Sequence, residues 1–151
     1  MANRMDWIYD DGGRAEAGFK GDAGDCVTRA FAIAGGEPYR YIYDSLKELA
    51  KAERVTKKRG GHRSSVRDGV RKATYRKFAA AHDWTFHPTM VIGSGCTVHL
   101  RPDELPSGRI VCVCSGHLCA VINGVIHDTH DPSREGTRCV YGYFTRWEEP
   151  A

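Results

Sequence analysis

Residues 117–128 read His-Leu-Cys-Ala-Val-Ile-Asn-Gly-Val-Ile-His-Asp, and this stretch decides the fold class. Asn123-Gly124 between two apolar runs is the strongest short-range signal for a two-residue hairpin turn, because both central residues must adopt positive φ. The turn sets the register: Ile122 faces Val125, Cys119 faces Asp128 and His117 faces His130. Side chains alternate along a strand, so His117, Cys119, Val121, Ile126, Asp128 and His130 are expected on one face. His117 and Asp128 then become diagonal neighbours, about 7 Å apart at the backbone. Asp131 falls on the opposite face if the strand continues, which favours Asp128 over Asp131 unless a bulge intervenes.

Working outward, the C-terminal half carries a period of two and the N-terminal half a helical period. Strands are expected at 91–92, 97–100, 109–114, 117–122, 125–130 and 138–144, with Gly, Pro and Ser between them. Upstream, Asp25 is expected to cap a helix over 26–34 that Gly35-Gly36 stops. A second helix follows Pro38 and runs to about Arg54. A third fits Ser64 to His82, where Val66, Val70, Ala73, Phe78 and Ala81 recur at helical spacing. Residues 1–24 read as an irregular arm, and 51–64 as a basic linker or flap. Helices followed by a run of antiparallel strands make an α+β domain.

Composition bounds the function classes. At 151 residues, 41% apolar and 27% charged, the chain suits one globular core. It shows neither a membrane-length apolar run nor a signal-peptide apolar region, so a cytoplasmic location without a membrane partner is expected. Six cysteines in that setting are expected to be thiols. A net charge of +3 does not by itself imply nucleic acid. Half of the 22 basic residues nevertheless fall between Lys51 and Lys77, against only Glu53 and Asp68. Lys57, Lys58, Arg59, Arg63, Arg67 and Arg71 form the centre of that tract. It reads either as a solvated face or as a patch for an acidic protein or a nucleic-acid backbone, and no nucleic-acid motif accompanies it.

The residues that carry chemistry are Cys26, His117 and Asp128, in the order thiol, base, orienter. Cys26 sits in Gly24-Asp25-Cys26-Val27-Thr28-Arg29-Ala30, at the first turn of the first helix, where the helix dipole favours a thiolate. Its own N–H can donate to an oxyanion, and Lys20 is the candidate second donor. Asp128 holds the imidazole tautomer, with Asp131 as the alternative acid and His130 as the alternative base. Cys112, Cys114 and Cys119 around His117 invite a zinc reading, but the spacing fits zinc sites poorly. They read as core thiols, and neither metal nor cofactor is expected.

Asp25-Cys26, Gly116-His117 and Asp128-Thr129 (or Asp131-Pro132) resemble the papain-like superfamily of cysteine peptidases and amidases. The likeness is nearest to the small leader-processing peptidases of bacteriocin exporters, with the transglutaminase-like branch supporting Asp128. It implies a papain-like fold, helices packed on an antiparallel sheet, and a Cys-His-Asp triad acting on a peptide or protein substrate through a thioester. Lys20 departs from the glutamine that many papain-like peptidases carry six residues before the nucleophile. The chain also resembles small uncharacterised phage and plasmid proteins with a similar Gly-Asp-Cys start. The reading is therefore a peptidase, isopeptidase or amidase. The alternative is a non-catalytic papain-like module whose basic tract docks an acidic partner. Oligomeric state is not legible.

Overall fold

A computed structural model describes residues 5–20, 24–54, 63–67, 69–91 and 93–146. Nine elements follow in chain order: β1 (Asp6–Tyr9), α1 (Cys26–Gly35), α2 (Tyr39–Lys51), α3 (Lys72–Ala81), β2 (Trp84–Pro88), β3 (Arg109–Cys114), β4 (His117–Ile122), β5 (Val125–Asp128) and β6 (Gly142–Arg146). The strands form one sheet in the order β1-β5-β4-β3-β6-β2. The α+β expectation holds. An all-antiparallel sheet does not, because β1 lies parallel to β5 while the other neighbours run antiparallel.

The hairpin is as the turn chemistry dictates. Asn123 and Gly124 both take positive φ, 49° and 80°. The ladder runs Ile122 to Val125, Val121 to Ile126 and Ala120 to His127. Strict alternation in β3 and β4 then sorts their side chains into two cores. Val111, Val113, Leu118 and Ala120 meet Phe31, Ile42, Leu46 and Phe78 of the helices. Ile110, Cys112, Cys114, Cys119 and Val121 face the other way, against Leu100, Val140 and Met5. Burial on both faces explains why these two strands read as nearly unbroken apolar runs.

Several local expectations need correction. The 1–24 arm is not wholly irregular, since Asp6–Tyr9 forms β1; a four-residue strand flanked by acids has too short a period to show. The third helix begins at Lys72, not Ser64. Ser65 and Gly69 exchange both backbone hydrogen bonds, at 3.0 and 2.7 Å, and close a loop that buries Val66 without helical geometry. Residues 97–100 and 138–140 do pair, through Leu100 N–H to Arg138 O at 2.9 Å and Val140 N–H to Val98 O at 2.8 Å, but only as a bridge. The last strand is consequently shifted to Gly142–Arg146, where it pairs with β3 and an additional strand, Trp84–Pro88. The expectation at 91–92 is not met at Val91; Ile92 lies outside the described residues.

The cysteines are not all thiols: Cys96 and Cys139 are joined, with Cα atoms 5.9 Å apart. The bridge fastens the loop after β2 to the segment before β6. Among the described residues no helix is long and apolar enough to cross a membrane.

Candidate active site

Helix α1 opens at Cys26 and ends at Gly36, whose left-handed φ of 65° lets the chain leave the helix. Asp25 does not cap it. Its carboxylate is buried and committed elsewhere: it pairs with Arg29 one turn on, accepts a hydrogen bond from Tyr39 Oη at 2.6 Å, and lies 3.4 Å from Arg14 Nε. The α1 N–H groups of the first turn therefore remain unclaimed by that side chain, and Cys26 contributes the first of them.

The hairpin brings the other two residues to this helix head. His117 opens β4 and Asp128 ends β5. His117 Nε2 lies 2.7 Å from Asp128 Oδ2. Its remaining ring nitrogen is left free of Asp128, and His117 and Cys26 line the same cleft. The Leu118 backbone also favours the ionised form of Cys26. Asp128 is nearly fully buried, and its second oxygen accepts from Thr129 N–H at 2.7 Å and from Arg29 Nη2 at 3.2 Å. Arg29 thus lies beneath the site, tying Asp25 to Asp128 across helix and sheet.

Electrostatics follow from these contacts. Burial opposes ionisation of Cys26, yet the His117 and Leu118 hydrogen bonds and the charges of His117 and Arg29 prevail, and its pKa falls below the ordinary thiol value. Burial likewise opposes the imidazolium, but Asp128 and Cys26 lift His117 from 6.5 to about 9. Asp128 is buried too, and His117, Thr129 and Arg29 hold its carboxyl below the usual range. Each member of the pair therefore favours the charged form of the other, thiolate beside imidazolium. Two of the core thiols behave oppositely. Cys119, hydrogen-bonded to Cys112, and Cys114, hydrogen-bonded to Cys119, are pushed above the ordinary thiol range.

Cys26 and His117 open onto a cleft of about 470 Å³ edged by Gly24, Gly116, Tyr75 and His130. Tyr75 is a residue that sequence reading passed over. It is buried on α3, lies close enough to feel the Cys26 charge, and its hydroxyl has no hydrogen-bond partner among the described residues. Lys20 is not brought to the cleft. It is exposed and lines a separate pocket with Arg14, Phe19, Tyr39, Tyr43 and Arg67. His130 is exposed at the cleft edge, its ring centroid 5.1 Å from that of His117. Asp131 turns away to accept from Ser133 N–H at 2.9 Å.

His117, Asp128 and His130 offer ligand atoms within 4.8 Å of one another. A cation there would have to displace the Arg29 hydrogen bond and the proton that His117 holds. The basic tract is partly folded back on itself: Arg63 Nε donates to Glu53 O, and Arg71 Nη1 to Glu53 Oε1, both at 3.1 Å. Lys57, Lys58 and Arg59 lie outside the described residues. Compared with known protein families, curated proteins and solved structures, the chain gives no match.

Proposed function

We propose that this chain is a thiol hydrolase of papain-like type, cleaving a peptide, isopeptide or other amide through a thioester on Cys26. The observation that carries the reading is Cys26 at the head of a helix, sharing one cleft with a His117 that is hydrogen-bonded to Asp128. The Cys26 thiolate attacks the acyl carbon, and its electron pair moves onto the carbonyl oxygen. The Cys26 N–H and the Tyr75 hydroxyl are the donors for that oxyanion. Collapse breaks the bond to nitrogen, and the His117 imidazolium gives its proton to the leaving amine. Neutral His117 then takes a proton from water, whose oxygen attacks the thioester. Carboxylic acid is released, and the proton remains on His117 beside the regenerated thiolate. Asp128 holds the ring through Nε2 throughout, and Arg29 and Thr129 hold Asp128.

The test is site-resolved iodoacetamide labelling across pH, read by mass spectrometry on the parent protein and on His117→Ala. Activated Cys26 alkylates well below the ordinary thiol pKa, and the variant moves that profile up to the ordinary range. Exposure alone cannot mimic this, because it changes the rate and not the pH at which the rate rises. A Cys26 profile that is ordinary in both proteins sinks the reading. The basic tract, with an acidic protein or nucleic acid as partner, then becomes the better candidate.

A further inference from the structure

A second cavity of about 440 Å³ lies against the cleft and shares two of its walls, Tyr75 and Cys114. Its interior is apolar, with Phe86, Met90 and Tyr141 among its lining residues. One lining ring depends on a missing side chain: a Cβ at Gly142 would overlap Phe86, so glycine lets that ring approach β6 closely. Met90 and Tyr141 stand at the mouth, 39% and 37% exposed. The rim is cationic. Lys72 and Arg76 are one turn apart on α3, both exposed, and neither has an acidic partner among the described residues. The cavity lining contains no carboxylate. Pockets of this size hold small ligands or single side chains in many proteins, typically about 300–1,000 Å³.

We infer that this cavity is the selecting subsite for the substrate, taking a bulky apolar side chain while Lys72 and Arg76 pair with a carboxylate beside it. The inference rests on the hydrolase reading and gives its substrate a class: an acyl chain in which an aromatic or branched aliphatic residue adjoins an acidic one. Continuity through Tyr75 and Cys114 places that side chain within a residue or two of the carbonyl that Cys26 attacks. Charge complementarity selects the neighbour, and the apolar lining excludes a charged side chain from the cavity itself.

The experiment uses peptidyl acyloxymethyl ketones, which alkylate an activated thiol at the position of the scissile carbonyl. Phe or Ala is placed at the first or second residue from the ketone, with Glu or Lys beside it. The Phe–Glu probe should label Cys26 about 10-fold faster than its Ala–Glu counterpart. It should also outpace the Phe–Lys probe by about fivefold. The double variant Lys72→Glu/Arg76→Glu should invert the Glu over Lys preference. Ratios between probes on one protein are the readout, so a partly folded variant does not mimic the result. Equal rates for Phe–Glu and Ala–Glu, or a charge preference untouched by the double variant, overturn the subsite. Fast iodoacetamide labelling of Cys26 with a flat peptide panel overturns the subsite alone. An ordinary Cys26 thiol overturns both readings.

Discussion

Replacing Asp128 by Asn removes one charge and leaves the outline of the side chain almost unchanged. In the parent protein His117 stands at about 9 against an ordinary 6.5, and its Nε2 lies 2.7 Å from the carboxylate. A hydrogen bond to a charged group contributes about 1.5–3 kcal/mol. One step on the pH scale corresponds to about 1.4 kcal/mol, so losing the charge should lower the His117 titration by about one to two steps. Imidazole carbon–proton resonances, followed against pH and assigned with a His117→Gln control, read this directly. The sign extends to stability. Asp128 has a depressed folded pKa, so its contribution is complete above the ordinary carboxyl value of 3.8 and is lost as pH falls through the lower folded value. Urea midpoints of Asp128→Asn should therefore lack that acid-side slope. His117 is the opposite case: its raised pKa stabilises fully below 6.5 and loses that effect as pH rises through about 9. Cys26, depressed, slopes the other way below its ordinary 9.0. The two tend to cancel, and Cys26→Ser should unmask the part of the histidine slope that Asp128 supplies. A parent His117 titrating near 6.5, or an Asp128→Asn protein whose His117 stays at the parent value, refutes the reasoning.

Three further outcomes are expected. Tyr75→Phe should lower the acylation burst with a p-nitrophenyl ester by about 100-fold if the hydroxyl serves the oxyanion; an unchanged burst removes it from that role. Arg29→Met leaves the Asp25 and Asp128 carboxylates without their shared cation and should cost about 3–5 kcal/mol in urea unfolding. A variant within 1 kcal/mol of the parent, roughly the worth of an exposed pair, would mean that water already screens the site. Removing the Cys96–Cys139 bridge, which spans 43 residues, should cost about 4 kcal/mol by loop-closure entropy. Identical midpoints for the parent protein with and without reductant would contradict it.

What the sequence discloses is what local chemistry determines. Asn123-Gly124 dictates positive φ twice, and from that one turn come the register and the approach of His117 to Asp128. Cys26 is legible because glycines at 35 and 36 bound its helix. Two of the misses share a cause, a partner well removed in sequence. Arg29 looks like an ordinary surface residue on an amphipathic helix until β5 arrives 99 positions later to offer Asp128. Asp25 has the identity of a cap and is drawn instead into that buried network by Tyr39. Val66 keeps the helical spacing because burial needs it, although Ser65 and Gly69 close a loop there. Lys20 was a candidate only by its distance before the cysteine, and a turn rich in Asp side-chain bonds carries it to another pocket.

The short strand β1 touches the site where no motif could announce it. Trp7 Nε1 and Asp10 N–H both donate to the main-chain oxygen of Asp128, at 3.1 and 3.0 Å, the tryptophan across 121 positions. That span is also an interval of time. At about 5–20 residues per second, roughly 6–24 s separate the synthesis of Trp7 from that of Asp128. For most of that interval α1 has been made, but Cys26 lacks its histidine until residue 117 and the acid behind it until residue 128. The growing chain thus carries Cys26 without its partners, and the last of them arrives on β5, the late strand that one of the earliest then clasps.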